Sequence, residues 1–336
     1  MSWRAADLAA DRSWHLEWDH RELSALDAWA SVTSGEDPDE LVAALAGAPE
    51  ILVERAEAVR SELINGYGLV LLSGLDVGKY DRKSIAVMFM LFGSLIGSLR
   101  SQNAAGHLLG HVTDVGADVD DPATRIYQTN QRQTFHTDST DAVGLLCLRT
   151  AKEGGVSMVV SVDAVHERLA EEAPELAARL FEPIATDRRN EQPDGELPWF
   201  EIPVLSPSSD GVTGIYQRQY IDSAQRFEDA PRPDKETLLA LDAFDAIMND
   251  PTMRFQMDLA PGDMQFVHNH SLLHDRTGFI DHDDPELRRY LLRVWLSLPG
   301  DRELPAVFEQ RYGTTTVGDR GGIVVPGTTP TIQLPV

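Results

Sequence analysis

Short β-rich runs cluster around two histidine-bearing stretches of the chain, and this clustering limits the possible folds more than any other feature. Residues 143–149 and 156–162 are apolar runs typical of buried strands, and residues 290–298 form another. The connection Glu153-Gly154-Gly155 indicates a hairpin or a tight connection. The strands do not alternate regularly with helices, which favours an antiparallel sandwich or barrel over a parallel α/β sheet. We predict a mainly β fold with flanking helices and a double-sheet jelly-roll core, which can hold a site between its sheets.

The rest of the chain divides into segments around this core. Residues 1–64 read as helices packed on the core, and the main domain is expected to span residues 65–312. Within it, residues 187–213 combine Pro, Gly, Ser and charged residues without periodicity, which predicts an irregular, mobile lid. Residues 214–221 read as a strand, and residues 313–336 as a peripheral tail.

Charge and cysteine content argue against several classes of partner. The 336-residue chain has a net charge of −25, and such a surface repels nucleic acids and anionic membranes. Any anionic substrate therefore needs locally placed arginines. The single cysteine, Cys147, lies among leucines and reads as a small buried hydrophobe. We see no signal peptide or membrane-spanning run, so a cytoplasmic protein is expected; a homo-oligomer is compatible with this composition.

The first histidine-bearing stretch is Thr134-Phe135-His136-Thr137-Asp138-Ser139. In an extended segment, residues i and i+2 point to the same side, so His136 and Asp138 can converge on one point. An imidazole and a carboxylate together suit a first-row metal with open coordination positions. The pair alone also fits a surface loop with one hydrogen bond, so the metal hypothesis depends on residues further along the chain.

The later residues complete an ordered set of motifs. These are F-H-T-D (135–138), G-G-x-S (154–157), G-D-x-x-F (262–266), H-x-R (274–276) and R-x-x-x-R (289–293). Over roughly residues 65 to 300, the chain resembles the taurine dioxygenase family of Fe(II)/2-oxoglutarate-dependent oxygenases, whose relatives include clavaminate synthase. The resemblance implies a double-stranded β-helix, a jelly-roll variant. It also implies a small-molecule substrate oxidised with Fe(II), 2-oxoglutarate and O2, by hydroxylation as the default, with desaturation and cyclisation left open.

The resemblance also implies roles for individual residues. His136, Asp138 and His274 match the family's two-histidine, one-carboxylate metal ligands, which leave positions for a 2-oxo acid and O2. Arg289 matches the arginine that binds the distal carboxylate of 2-oxoglutarate, and Ser157 matches a hydroxyl on the same carboxylate. Because Asp138 is retained, the resemblance favours oxygenation over halogenation.

Three further residues are candidate substrate contacts. Arg293 lies four residues after Arg289 on the same strand face, at a position that in the family often binds an acidic group. The expected substrate is therefore carboxylate-bearing, either amino-acid-like or an intermediate of secondary metabolism. Arg132 stands where the family often has Asn, so Asn130 becomes the candidate for that role. His268 stands where the family commonly has an acidic or amide residue.

Two alternative functions stay open at this point. His268-Asn269-His270 is also a cupin metal pattern, in which His268, His270 and His274 compete as ligands of a dioxygenase that does not use 2-oxoglutarate. The other alternative is a non-catalytic jelly-roll binding protein with residual histidines. The intact ligand set and the two strand arginines argue against this last reading.

Overall fold

The computed structural model describes residues 2–118, 124–192, 195–209 and 211–335. Its helices are α1 (Ala5–Ala10), α2 (His20–Ala30), α3 (Pro38–Ala44), α4 (Glu50–Asn65), α5 (Arg82–Ile96), α6 (Val162–Glu172), α7 (Pro174–Arg179), α8 (Arg218–Ala224), α9 (Lys235–Met248) and α10 (Glu309–Tyr312). Its strands are β1 (His15–Glu17), β2 (Leu69–Ser73), β3 (Ser98–Arg100), β4 (Leu109–Val112), β5 (Gln133–His136), β6 (Ala142–Arg149), β7 (Glu153–Gly154), β8 (Ser157–Ser161), β9 (Pro183–Asp187), β10 (Trp199–Pro203), β11 (Leu205–Ser208), β12 (Gly211–Gly214), β13 (Phe255–Met257), β14 (Met264–His268), β15 (Leu272–Arg276), β16 (Phe279–Ile280) and β17 (Tyr290–Ser297).

Two sheets carry the structure. The larger has seven strands in the order β1-β2-β14-β6-β17-β3, with β4 also paired to β17. The smaller has four strands in the order β13-β8-β15-β5. The chain passes from one sheet to the other between β6 and β8, so Glu153-Gly154-Gly155 forms a tight connection between sheets and not a hairpin joining those two strands. Both sheets are mainly antiparallel; β1 pairs with β2 in parallel.

Helices cover the outer face of the larger sheet. Asp81 caps the N-terminus of α5 by accepting from the Ser84 backbone NH at 2.8 Å, and most of the residues that follow are buried. The Phe89 and Phe92 rings of this helix lie 6.3 and 6.2 Å from the ring of Phe266 on β14. Burial of this apolar interface stabilises the sheet and leaves its opposite face toward the smaller sheet.

Several expectations about the fold need correction. More of the described residues lie in α-helices than in strands, so the fold is mixed and not mainly β. Residues 214–221 do not form a strand, because α8 begins at Arg218. No helix among the described residues is long and apolar enough to cross a membrane. Cys147 is buried as expected, and burial raises the pKa of its thiol to about 12.

The stretch 187–213 is only partly irregular, because residues 188–192 and 195–198 form no helix or strand but most of the other described residues are paired in strands. Apart from residues 193–194 and 210, which lie outside the described residues, it contains β10, β11 and the start of β12, paired as parts of two small antiparallel sheets. Phe200 and Ile202 are buried against residues near the C-terminus, including Phe308. These strands are too short to show periodicity in the sequence. Because they are paired and partly buried, the composition of the stretch no longer supports a mobile lid.

The segment 313–336 is not simply peripheral. Arg320 is fully buried, and Ile323 belongs to an apolar cluster with Trp295. The first 64 residues are also tied to the core, because β1 extends the larger sheet by pairing with β2. The chain ends therefore contribute to the same packed body as the sheets.

Candidate active site

His136, Asp138 and His274 converge at one point. His136 ends β5 and lies directly opposite His274 on β15, with their ring centroids 4.1 Å apart. Asp138 follows two residues later, and its Oδ2 lies 3.9 Å from Nε2 of His274. One ligand atom from each of the three residues lies within 4.8 Å of the others. The sequence-predicted set is therefore brought together in space.

Neighbouring groups orient these side chains. His136 Nδ1 lies 2.8 Å from the Thr134 carbonyl oxygen, to which it can only donate, so its Nε2 is left as the acceptor nitrogen. Asp138 Oδ2 accepts from the Trp295 indole at 2.8 Å. The Asp138 backbone NH donates to the Asn269 side chain at 3.0 Å. Such supporting hydrogen bonds are typical around metal ligands.

The protonation states suit a divalent metal. Burial lowers the pKa of His136, and burial together with the nearby His136 lowers the pKa of His274 to about 3. Although burial alone would raise it, Arg293 and the two imidazoles lower the pKa of Asp138. Two neutral imidazoles and one carboxylate are the forms that bind metals. The buried Nδ1 of His274 lacks a hydrogen-bond partner among the described residues, so protein contacts do not satisfy every polar atom of these three side chains.

A cavity lies beside these three residues, between the two sheets. Apolar side chains of the larger sheet, Val143 and Leu145, line one wall, and Leu259 also lines it. The guanidinium groups of Arg289 and Arg276 line it as well, 5.2 and 4.7 Å from the centroid of the Phe279 ring. We call this space the first chamber.

Two arginines of the first chamber, Arg289 and Arg276, have no ion-pair partner in the part of the chain that the structure describes. No carboxylate among the described residues lies within 4.0 Å of either guanidinium. Burial lowers the pKa of Arg289 to about 10, and burial with the adjacent Arg289 lowers that of Arg276 to about 9, so both stay protonated at neutral pH. Buried cations of this kind need an anionic partner. A dianion that also reaches the metal ligands would supply it.

The G-x-S part of the predicted motif is explained by the same chamber. Gly155 has φ +73°, and a Cβ there would lie 3.0 Å from Nε of Arg289, so glycine leaves room for the guanidinium. Ser157 lines the chamber, and its hydroxyl lies 3.0 Å from the Gln265 side chain. Its position allows a second hydrogen bond to a bound anion.

Arg293 lies at the boundary between the first chamber and a second, more polar cavity. Its Nε donates to Gln102 at 2.7 Å, and its Nη1 lies 3.7 Å from Oδ2 of Asp138. The guanidinium also stacks 4.5 Å from the Tyr127 ring centroid. The second cavity, which we call the second chamber, shares Asp138 with the first.

Two predicted substrate contacts do not face either chamber. His268 is fully buried, with Nδ1 2.6 Å from Ser271 Oγ and Nε2 3.1 Å from Asp301. Alternation along β14 explains this, because Gln265 faces Ser157 in the first chamber and His268 points to the opposite face with Phe266. Asn130 is exposed, and its carbonyl accepts from the Phe279 backbone NH at 3.1 Å. Neither residue lines a chamber, so the structure lends no support to either as a substrate contact.

His270 also lies apart from the first group. Its Nε2 lies 2.9 Å from Oδ1 of Asp141, within a second group of possible ligands that includes Asp301. Arg320 donates to Asp141 at 2.7 Å and to Asp301 at 3.0 Å, which fills this second group with a protein cation. The H-x-H segment and His274 thus belong to separate clusters, contrary to the cupin-type arrangement.

Sequence reasoning missed several residues of the site. Arg276 was part of the H-x-R motif, and its interior strand position was a usable signal. Gln133 lies three residues before the first ligand, His136, and its Nε2 lies 2.8 Å from His136 Nε2. Gln102 and Arg311 gave no signal, because they come from irregular or terminal segments that only the tertiary fold brings to the chambers.

Comparisons with known proteins agree with this geometry. The family described as "Taurine catabolism dioxygenase TauD, TfdA family" matches residues 46–295. FR-33289 synthase of Streptomyces rubellomurinus is 31% identical over 257 residues, covering 75% of this chain and 76% of that protein. A uridine-5'-phosphate dioxygenase of an Amycolatopsis species is 27% identical over 177 residues, covering 50% of this chain and 62% of that protein. The crystal structure of asparagine oxygenase with Fe(II), hydroxyasparagine and succinate has a similar fold, with a TM-score of 0.65 at 18% identity, covering 84% of this chain and 93% of that one.

Proposed function

The chain belongs to the taurine catabolism dioxygenase TauD, TfdA family and is an Fe(II)/2-oxoglutarate-dependent dioxygenase, and on that premise we propose that His136, Asp138 and His274 hold its iron. One observation carries this assignment. The three ligand atoms meet at the wall of a cavity that also contains two unpaired arginines, as a metal and a dianionic co-substrate require.

We propose further that the two main sheets form the double-stranded β-helix core expected of this family. Support comes from their placement, since β6 and β17 of one sheet and β5, β8 and β15 of the other supply the lining of one chamber. A jelly roll holds its site between two sheets in this way.

The first chamber is proposed to bind 2-oxoglutarate. Arg289 would engage the distal carboxylate through the fork of its guanidinium, with Arg276 adding a second positive charge and Ser157 a hydroxyl. The apolar wall of Val143 and Leu145 would exclude water from the chain of the co-substrate. Iron and 2-oxoglutarate, when bound, supply the O2-dependent oxidation of a substrate C–H bond, with hydroxylation as the default outcome.

The remaining residues position these groups. Trp295 and Asn269 hold Asp138, and the contact of His136 with Thr134 fixes which ring nitrogen faces the site. Arg293 is proposed to bind an acidic group of the primary substrate, most simply a carboxylate. A phosphate is the other acidic group to consider, because one relative is a uridine-5'-phosphate dioxygenase.

The iron assignment is tested by anaerobic titration. Purified protein with Fe(II) and 2-oxoglutarate should develop a visible metal-to-ligand charge-transfer band. His136→Ala, Asp138→Ala and His274→Ala should each abolish it. His268→Ala and His270→Ala serve as controls that retain it where they fold. If His274→Ala kept the band while either control removed it, the cupin-type arrangement would replace this proposal.

The two strand arginines are separated by titrating both ligands. Arg289→Leu should weaken 2-oxoglutarate binding by about 2–5 kcal/mol, because a buried charge loses its partner, and should spare the substrate. Arg293→Leu should do the reverse and keep slow turnover uncoupled from substrate oxidation. An effect of both substitutions on 2-oxoglutarate alone would remove the basis for an acidic substrate.

A further inference from the structure

The second chamber is unusually rich in arginine for such an acidic protein. Its lining includes three arginines, Arg125, Arg293 and Arg311, together with Asp138 and Ser139. Three guanidinium groups thus meet one carboxylate among the lining residues, in a chain with a net charge of −25. A local reversal of charge on this scale attracts an anion and raises its local concentration.

Arg311 is the least compensated of the three arginines. Its Nε donates to the Ser139 hydroxyl at 2.8 Å, and its guanidinium lies 5.6 Å from the centroid of the Phe200 ring. No carboxylate among the described residues lies within ion-pair distance of it. Burial, and then the nearby Arg125, lower its pKa to about 10, which leaves it charged at neutral pH.

Two of the three guanidinium groups in the second chamber lack a full carboxylate partner among the described residues. Arg125 forms a close ion pair with Glu191, and both side chains are largely buried. Asp138, 3.7 Å from Arg293, is the proposed iron ligand, so its charge is shared with the metal. Among the described residues, Arg293 and Arg311 then face the chamber without a full partner, and buried cations are costly unless an anion joins them.

We propose that the second chamber binds a tetrahedral phosphorus oxyanion with two negative charges, a phosphate monoester or phosphonate group of the substrate, and that Arg311 determines this specificity. The inference rests on the proposed function, since it concerns the substrate of the same iron site. A guanidinium engages two oxygens of such a group at once, and the hydroxyl of Ser139 lies beside it. Arg311 lies outside the family match at residues 46–295, so that match assigns it no role.

Two probes of the same shape but different charge test the proposal. Methyl phosphate carries close to two negative charges near neutral pH, whereas methyl sulfate carries one. Each is titrated calorimetrically, together with methylphosphonate and acetate, into anaerobic protein containing Fe(II) and 2-oxoglutarate. Methyl phosphate or methylphosphonate should bind more tightly than methyl sulfate and acetate by on the order of tenfold, since the second charge meets a second guanidinium. The tighter of the two phosphorus probes identifies the ester or the phosphonate as the natural group.

Variants assign the preference to one residue. Arg311→Gln should lower methyl phosphate affinity by on the order of tenfold and largely remove the preference over methyl sulfate, whereas Arg311→Lys should keep part of it. Arg179→Gln removes an arginine that pairs with Glu182 and Asp234 away from the chamber, and should change neither affinity.

The outcomes separate this inference from the function on which it rests. If the charge-transfer band forms but methyl sulfate or acetate binds as well as methyl phosphate, or no probe binds, the dianion inference is overturned alone. A preference that survives in Arg311→Gln overturns the role of Arg311. If no band forms in the wild type, the proposed iron site fails, and the inference falls with it.

Discussion

Among the described residues, two clusters of imidazoles and carboxylates have nearly the same chemical content but differ in how their charge is neutralised. One is His136, Asp138 and His274, and the other is Asp141, His270 and Asp301. Both place imidazole and carboxylate atoms within 4.8 Å of one another. In the first, the nearest guanidinium stands 3.7 Å from the carboxylate and faces a cavity, whereas in the second Arg320 bonds both carboxylates directly. We call the first the open cluster, because it borders a cavity, and the second the closed cluster, because a guanidinium pairs with both of its carboxylates.

This difference shows that a set of ligand atoms does not by itself define a metal site. The closed cluster is satisfied by a protein cation that takes the place of a metal, and it holds β6, the region after β17 and the C-terminal segment together. The open cluster has an excess of acceptors and borders the first chamber. What separates structure from chemistry here is whether the protein provides its own counter-charge.

The largest expected effect is on metal stoichiometry. Wild-type protein should bind one Fe(II) per chain, and Asp138→Ala should bind none, because one of three ligands is lost. Asp301→Ala should still bind one wherever it folds, since the closed cluster holds no metal. Metal content after gel filtration measures this. A wild-type value of two would show that the closed cluster also binds metal.

The next effect is on stability. Arg320→Met leaves Asp141 and Asp301 buried without their cation, which should lower the free energy of unfolding by about 3–5 kcal/mol. Arg168→Met, which breaks partly exposed ion pairs with Glu172 and Asp250, should cost about 0–1 kcal/mol. Urea denaturation compares them. Added Co²⁺ should bind the closed cluster of the folded Arg320→Met protein and stabilise it. If Co²⁺ did not stabilise this variant, the geometry of the three ligands, and not only the Arg320 charge, would prevent metal binding.

The smallest expected effect is a change in the pH dependence of stability. Burial alone would raise the pKa of Asp301, but His268, His270 and Arg320 together lower it below its ordinary value. The folded state therefore binds fewer protons than the unfolded state, so stability is present above about pH 4 and is lost as the pH falls below it. Asp301→Asn should flatten this loss by up to about 1.4 kcal/mol per pH unit. Unfolding free energies at about pH 2 to 5 measure the slope, and Asp258→Asn, at an exposed position, should leave it unchanged. Equal slopes in all three proteins would remove the ionic account of the closed cluster.

The sequence predicted the open cluster well because its residues lie on regular strands. His136 and His274 face each other across β5 and β15, and the apolar runs of β6, β8 and β17 were visible as such. The grouping of the three ligands with Arg289 followed from the resemblance to the taurine dioxygenase family, because spacing alone related only His136 to Asp138. Arg276 lies at the end of β15 and was not predicted.

Elsewhere, tertiary contacts decided the outcome. The role of His268 depended on which sheet face it occupied, and this was set by the packing of Phe266 against α5. The hairpins within 187–213 are too short to show a period, and they are ordered by burial of Phe200 against the segment near Phe308. Arg320 reaches the interior from a stretch of glycine and threonine whose composition indicated only a tail, and Arg311 reaches it from the short helix α10 at the end of the expected main domain.

The burial of Arg320 also bears on how the chain is synthesised. Asp141 is synthesised well before the guanidinium that neutralises it, which follows almost 180 residues later. Until that segment has left the ribosome, the carboxylates of Asp141 and Asp301 lack the Arg320 guanidinium, and the strands that carry them cannot close without cost. Final docking of the sheets is therefore expected to wait for residue 320, and a nascent chain stopped before that residue should remain a substrate for chaperones or proteases.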